Sequence, residues 1–472
     1  MYLAINIVGI LIFLLIGWIF SHDRKHIQWV SVGIMTALNI VIAGLLTVLP
    51  WGRAAVHAAA SAFSELVKVA FKGINFALAN WVGADGTHPD AVNFVTSAML
   101  PILLVVPLFD ILTYIGFLPW LIKWIGRGLS FITRQPKFET FFSIEMMFLG
   151  NTEALAVSKL QVQKMKPARN LMLAMMSMSC VTASILAAYT TMVPGDYVLT
   201  AVPLNCINAL IVANLLYPVK VDKEEDVIAT IADSSETIEA PADGASSALA
   251  AAADNTVSTL DTATDGVTAQ TAGNTPAAAT APAPAGNRFA AWVKKTFKRD
   301  PNKPKKEPFF SFLGDSILGA GRLVLIIAAN VIAFVAFAAL INKLLGLINP
   351  QLTLEHIFGV ILYIPSLLLG LDPGTAWQMA GYMGKKLVTN EFVVMNEVTK
   401  TIWAFAPHYK AVLTVFITSF ANFSTVGMII GCFKGLAGKE TNDLISKNVG
   451  RMLLAGILVS LLSAGMAGLF VW

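Results

Sequence analysis

Long apolar runs almost free of charged residues recur along this 472-residue chain and constrain its fold more than any other feature. A helix needs about 20 apolar residues to cross the hydrocarbon core of a bilayer. Soluble proteins carry about 25% charged residues, whereas this chain has 13% charged and 56% hydrophobic residues. The sequence therefore predicts an all-α polytopic membrane protein with about eight transmembrane helices. The predicted spans are residues 1–20, 28–49, 94–117, 170–192, 198–217, 323–346, 411–433 and 450–471.

The cysteines and histidines exclude several classes of site. Cys180, Cys206 and Cys432 all lie in apolar runs without a CxxC pair, so neither a disulfide nor a thiolate metal site is expected. No HExxH motif occurs among the scattered histidines, so a zinc enzyme has no support. Residues 1–20 begin without a basic segment, which favours a retained first span over a signal peptide. We expect no enzymatic activity and no cofactor.

Two short polar motifs interrupt the apolar stretches. Gly150–Glu153 reads Gly-Asn-Thr-Glu, and Asn390–Phe392 reads Asn-Glu-Phe. A carboxylate at membrane depth costs roughly 2.5–3.5 kcal/mol or more, so such residues indicate a functional site. Irregular backbone is tolerated at that depth where it lines a cavity or is buried in protein. We therefore predict two re-entrant hairpins, at about residues 139–160 and 375–398. Two ordinary spanning helices with buried polar residues remain the alternative.

The segments between the spans divide into two kinds. Residues 54–82 and 118–135 mix polar and aromatic residues, which predicts helices lying at the membrane interface. Residues 221–308 begin acidic, continue rich in Ala, Thr, Ser and Pro, and end with a lysine cluster. This composition cannot bury enough apolar surface to fold, so we predict a disordered linker. Its basic end either lies on anionic headgroups or is simply solvated.

Positive charge in the loops predicts the orientation and the division of the chain. Basic residues follow the first, third, fifth and seventh spans, which places both termini outside and the linker in the cytoplasm. Spans on the two sides of the linker then run in opposite directions, as in an inverted-repeat transporter core. We divide the chain into N-terminal helices (1–90), a first half of the transport unit (91–220), the linker (221–308) and a second half (309–472).

Four motifs occur in order along the chain. Phe148–Ala154 (FLGNTEA) is similar to FxGQTEAP, and Ser184–Tyr189 (SILAAY) is similar to GSVLAAY. Gly384–Val393 (GKKLVTNEFV) matches GxKxxxNEFV, and Phe420–Gly427 (FANFSTVG) resembles GFANFSSIG. These patterns are those of the concentrative nucleoside transporters. The chain resembles this family over about residues 51–472, apart from the linker.

The resemblance implies a homotrimer in the plasma membrane, in which each subunit moves one nucleoside with a cation. It implies seven substrate-binding residues: Asn151, Thr152, Glu153, Glu391, Phe420, Asn422 and Thr425. The first three would face the nucleobase. Glu391, Asn422 and Thr425 would hold the ribose hydroxyls, and Phe420 would pack against the sugar. Asn151 replaces the family's usual Gln and is one methylene shorter, so the base preference is expected to differ.

The resemblance also implies a sodium site, built from carbonyls near Leu149 and Val181 and from the Ser179 hydroxyl. Glu145 stands nearby, where the family usually has a small residue. It would strengthen cation binding, carry a proton, or turn toward the cytoplasmic interface, and the sequence leaves all three open. A second unusual acid, Asp110, would pair with a basic residue across the trimer contact or face water.

These features predict a cation-coupled nucleoside importer that works by alternating access. The alternative is a facilitative nucleoside channel or a nucleoside-sensing membrane protein that does not pump. A nucleoside hydrolase has less support, because no water-activating group or metal set accompanies Glu153 and Glu391. The expected partners are a nucleoside, a cation and the lipid bilayer, without nucleic acid. The residues do not decide between purine and pyrimidine, or between sodium and proton.

Overall fold

The structure is a computed structural model that describes residues 1–82, 99–221, 225–226 and 308–472. The first half contains eleven described helices. They are α1 (Tyr2–Ile19), α2 (Trp29–Thr47), α3 (Pro50–Val82), α4 (Ile102–Tyr114), α5 (Phe117–Thr133), α6 (Lys137–Leu149), α7 (Asn151–Val157), α8 (Lys159–Lys164), α9 (Pro167–Met176), α10 (Ala183–Met192) and α11 (Gly195–Leu216).

The second half contains eight further helices. They are α12 (Phe309–Gly346), α13 (Leu354–Leu368), α14 (Pro373–Val388), α15 (Glu391–Val398), α16 (Pro407–Ile417), α17 (Phe423–Leu436), α18 (Lys439–Lys447) and α19 (Val449–Gly468). Short 3-10 turns lie at Arg24–His26 and Ile402–Ala404, and the described ranges contain no strand. The all-helical fold class is therefore confirmed. Apart from Val221, Glu225, Asp226 and Pro308, the predicted linker lies outside the described residues.

The structure has fewer continuous membrane-spanning helices than the eight that the sequence predicts. Six described helices are long and apolar enough to cross a membrane, or seven if α4 and α5 form one bent span. The chain turns by 74° between α4 and α5, and Gly116 provides the required positive φ of 89°. A separate helix over the predicted interfacial segment 118–135 is thus present. One of the six is Pro50–Ile74 of α3, which is long and apolar enough to cross a membrane, so the interfacial position of residues 54–82 stays a prediction.

Two predicted spans are broken in the middle, so the expectation of continuous helices there is wrong. Span 170–192 divides into α9 and α10 around residues 177–182, which lie outside both helices and which we call break 1. Span 411–433 divides into α16 and α17 around residues 418–422, which we call break 2. Both breaks contain short polar side chains: Ser177, Ser179 and Thr182 in break 1, and Thr418, Ser419 and Asn422 in break 2. Such side chains compete with the helix for backbone hydrogen bonds. Apolar composition alone does not reveal this competition.

Both predicted hairpin segments are formed by two helices with a short interruption. In the first, α6 ends at Gly150, and α7 begins at the next residue. In the second, α14 ends at Thr389, and Asn390 accepts a hydrogen bond from the Val393 N–H as the cap of α15 (3.1 Å). The polar motifs thus lie at the two turns. In each half the hairpin is followed by a broken helix and then by a long helix, α11 in the first half and, after the short α18, α19 in the second.

The two long helices α11 and α19 form the centre of the protein. In the most apolar stretch of each helix, 89% of the residues of α11 and 67% of those of α19 are buried, whereas only 11% are buried in α12. They pack against each other, and the pieces of both broken helices pack on them. The long helix α12 packs mainly on α4 and exposes the rest of its apolar surface. This surface is suited to lipid or to another subunit.

Breaks 1 and 2 meet at one glycine of α19. A Cβ atom added to Gly456 would lie 2.8 Å from the Cβ of Ala421 in break 2 and 3.3 Å from the Cβ of Met178 in break 1. By contrast, a Cβ atom at Gly427 or Gly431 of α17 would have no neighbour within 4 Å. Gly427 and Gly431 are four residues apart, a spacing of small residues that often marks close helix packing. Among the described residues they make no such contact. Both breaks instead approach α19 closely at Gly456.

We expect Gly456→Ala to destabilise the protein by about 1–3 kcal/mol, because the added methyl group overpacks the contact between the two breaks. Gly427→Ala is the matched control, since it makes the same change on an open helix face. The measurement is the thermal unfolding midpoint of both purified variants in detergent. Equal unfolding midpoints for the two variants would contradict this prediction, because they would show that the two breaks can move apart from α19 without loss of stability.

Candidate substrate site

A buried carboxylate lies at the turn of the second hairpin and joins both halves of the chain. Glu391 is 3% exposed. Its Oε1 accepts a hydrogen bond from the Tyr189 hydroxyl of α10 (3.0 Å), and its Oε2 accepts one from Asn422 Nδ2 (3.0 Å). Tyr189 also packs edge-on against Phe392, with ring centroids 5.0 Å apart. Glu391 is therefore held in one orientation by two donors.

The amide of Asn422 links this carboxylate to the start of α17. Its Oδ1 accepts hydrogen bonds from the Thr425 N–H (2.9 Å), the Thr425 hydroxyl (3.1 Å) and the Ser424 hydroxyl (2.7 Å). Asn422 is thus the N-cap of α17, and the positive end of that helix dipole points into the break. The structure brings together Glu391, Asn422 and Thr425. Phe420 lies in the same break and is partly buried against the core.

Two residues near Glu391 were not predicted as site residues. Tyr189 ends the motif SILAAY, and Lys386 lies in the motif GKKLVTNEFV, so their signals were in the sequence. The Lys386 side chain is fully buried; its Nζ donates to the Phe416 carbonyl (2.7 Å) and lies 4.5 Å from the centroid of the Phe416 ring. It also contacts the Ser419 hydroxyl. Lys386 thus links the second hairpin to the end of α16 and to break 2.

The turn of the first hairpin packs against break 1. Gly150 has a φ of 88°, and a Cβ atom there would lie 1.8 Å from Thr182 Cγ2, so both the conformation and the contact require glycine. Asn151 is buried, and its Nδ2 donates to the Ser177 carbonyl (3.3 Å). Thr152 and Glu153 lie in the first turn of α7, and their side chains are outside the described part of the structure.

The residues of the predicted sodium site lie on both sides of this contact. Leu149 ends α6, while Ser179 and Val181 lie in break 1. The buried Ser179 hydroxyl has no hydrogen-bond partner among the described residues. No described group of three or more His, Cys, Asp or Glu residues is placed to hold a metal ion. An unpaired buried hydroxyl next to irregular backbone suits a cation that binds oxygen ligands, such as sodium.

Glu145 lies between the arms of the first hairpin. It is 2% exposed and accepts a hydrogen bond from the Ser158 hydroxyl (2.9 Å). This burial favours a role inside the protein over a position at the interface. The other unusual acid, Asp110, accepts a hydrogen bond from Ser316 of α12. Asp110 thus has a partner within its own chain.

A buried ion pair fixes the base of the first hairpin. Arg169 at the start of α9 donates two hydrogen bonds to Glu139 of α6 (2.7 and 2.9 Å), and both side chains are almost inaccessible. Arg169 also donates to the Glu225 carbonyl (2.9 Å), while the Asp226 carboxylate accepts from the Lys137 N–H (2.6 Å). The acidic segment after α11 thus contacts the hairpin and the broken helix together.

Comparison with known proteins identifies the family. The Na+-dependent nucleoside transporter C-terminus matches residues 276–468, and the corresponding N-terminus matches residues 8–81. The chain is 38% identical to the purine nucleoside transport protein NupG of Bacillus subtilis (strain 168) over 472 residues, covering 100% of both chains.

Solved structures share the fold. The chain resembles CNTnw in an inward-facing substrate-bound state, with a TM-score of 0.75 and 21% identity over 100% of this chain and 98% of that one. It also resembles a doubly substituted CNTnw in an outward-facing state, with a TM-score of 0.77 and 21% identity over 100% of this chain and 99% of that one. The chain therefore belongs to the concentrative, Na+-dependent nucleoside transporter family.

Proposed function

We propose that this protein is a nucleoside importer of the plasma membrane that couples uptake to a cation and works by alternating access. The observation that carries the proposal is the buried Glu391 carboxylate, oriented by Tyr189 and Asn422 at the turn of a hairpin. A nucleoside is neutral but rich in hydroxyl and N–H donors. A preoriented carboxylate accepts such donors more strongly than a neutral group does.

The substrate would bind between the two hairpin turns. Glu391, Asn422 and Thr425 hold the ribose hydroxyls, and Phe420 offers an apolar face to the sugar. The base faces the first hairpin at Asn151, Thr152 and Glu153. The 38% identical relative is named a purine nucleoside transport protein, so purine nucleosides are the inferred substrates.

The coupling ion would bind at break 1. Its ligands are carbonyl groups near Leu149 and Val181 and the unpaired Ser179 hydroxyl. Sodium entry down a potential of about 100 mV releases roughly 2.3 kcal/mol, and a tenfold gradient adds about 1.4 kcal/mol. This is enough for more than about a hundredfold accumulation of nucleoside. Glu145, buried in the same hairpin, either strengthens the cation site or carries a proton.

The assembly and orientation follow from the same proposal. The subunits form a homotrimer, both termini face outward, and residues 221–308 lie in the cytoplasm. In each subunit the hairpins and broken helices move together against a scaffold that includes α4 and α12. The packing of the broken helices on α11 and α19 supports their movement as one unit.

Uptake by the purified protein in liposomes tests the function directly. Labelled adenosine and uridine are supplied with a sodium gradient, a pH gradient, both or neither. Accumulation above equilibrium with one ion gradient supports coupled import and identifies the ion. Uptake that only equilibrates would favour a facilitative channel, and binding without uptake would favour a sensor.

We expect Glu391→Gln to weaken nucleoside binding by about 10- to 150-fold, because a charged acceptor contributes about 1.5–3 kcal/mol. The ratio of affinities for adenosine and uridine should change little, since the carboxylate faces the sugar. Glu397→Gln, an exposed acid on the same helix, is the control. Binding measured by calorimetry that remains at the wild-type level in Glu391→Gln would refute the ribose assignment.

Tyr189→Phe should weaken nucleoside binding about tenfold, since Glu391 loses one of its two orienting donors. The matched control is Tyr409→Phe, because the buried Tyr409 hydroxyl has no partner in the described part of the chain. Calorimetric titration of both variants with adenosine measures the difference. Equal losses of adenosine affinity in the two variants would mean that Tyr189 contributes through the packing of its ring and not through its hydroxyl.

We expect Ser179→Ala to raise the sodium concentration for half-maximal uptake severalfold, because the ion loses an oxygen ligand. Nucleoside affinity at saturating sodium should stay close to wild type. Ser366→Ala removes a buried hydroxyl that is already bonded to the Leu362 carbonyl, and it should leave the sodium response unchanged. If Ser179→Ala also leaves the sodium concentration for half-maximal uptake unchanged, the cation does not bind at Ser179.

A further inference from the structure

A cavity of about 580 Å³ lies between the end of α1 and the start of α19. None of its residues belongs to the substrate or cation site described above. The wall from the end of α18 and the start of α19 carries the basic side chains, and we call it the basic side; the wall from the end of α1, which we call the apolar side together with the adjoining Leu454, is apolar apart from Ser21. Its wall includes Lys447, Arg451, Ser21, Ile19, Phe20 and Leu454.

The basic side carries two cations, Lys447 and Arg451. Arg451 donates to the Asn448 side chain (2.7 Å), which leaves most of its guanidinium donors open. Among the described residues, neither Lys447 nor Arg451 forms an ion pair. Asn448 lies at both the end of α18 and the start of α19, so the two opposite helix ends largely offset each other and the positive charge here comes from the two side chains. The described residues of the wall include no acid. This side attracts an anion.

The apolar side lies where a membrane helix ends. Ile19 and Phe20 close the apolar span of α1 and remain 44% and 55% exposed. The Arg24 guanidinium lies over the neighbouring Trp18 ring, 5.1 Å from its centroid. Aromatic and basic residues together are typical of the boundary between hydrocarbon and headgroups. In the orientation proposed above, the cavity opens toward the cytoplasmic leaflet.

We propose that this cavity binds an anionic phospholipid. The phosphate lies between Lys447 and Arg451 at the start of α19, and an acyl chain covers Ile19, Phe20 and Leu454. A free phosphate would satisfy the cations but leave the apolar side exposed. A lipid satisfies both sides at once and joins α1 to the final helix.

Native mass spectrometry tests the site on the purified full-length protein with phosphatidylglycerol and phosphatidylcholine. The wild type should retain phosphatidylglycerol preferentially. Lys447→Gln with Arg451→Gln should reduce this preference about thirtyfold, since each of the two cations near the headgroup contributes roughly 1 kcal/mol. The control, Lys434→Gln with Lys439→Gln, removes the same charge outside the cavity and should leave the preference intact.

Three further results decide the assignment. Lys447→Arg with Arg451→Lys keeps both charges and should retain phosphatidylglycerol, which separates charge from folding effects. Equal retention of both lipids by the wild type would overturn the proposal. Thermal stabilisation by inorganic phosphate equal to that by phosphatidylglycerol would also overturn it, because the site would then bind the anion without its chains.

Discussion

The structure depends on satisfying the backbone groups that two broken helices expose inside an apolar protein. Each unpaired N–H or C=O group in such surroundings costs several kcal/mol. Asparagine amides from neighbouring segments supply part of the missing bonds. Asn205 of α11 donates to the Thr418 carbonyl in break 2 (2.6 Å), and Asn151 donates to the Ser177 carbonyl in break 1. Asn422 caps the helix that restarts after break 2. The site and the fold therefore use the same side chains.

The sequence predicted the elements whose signals are local. Long apolar runs identified α1, α2, α11 and α19, and polar motifs identified the turns of both hairpins. The breaks at 177–182 and 418–422 were missed, because they contain neither proline nor a charge and their surroundings are apolar. Their positions depend on capping and on contacts with distant helices, which hydropathy does not measure.

The candidate site was predicted in part for the same reason. Glu391 and Asn422 stand in recognisable motifs, and the structure brings them within hydrogen-bond distance. Tyr189 was read as part of a helix motif without a role. Only the fold shows that its hydroxyl reaches Glu391. Lys447 entered the sequence analysis only as one of the basic residues that predict the orientation, and neither it nor Arg451 indicated a binding site, because the cavity between α1 and α19 depends on tertiary packing.

The hydrogen bond between Tyr189 and Glu391 joins residues 202 positions apart, with the linker between them. At a synthesis rate of about 5–20 residues per second, Glu391 leaves the ribosome roughly 10–40 s after Tyr189. During that interval the first half must remain in the membrane with this buried hydroxyl lacking its native partner. Assembly of the core is therefore necessarily late, and the first half is the part that membrane chaperones and proteases encounter unfinished.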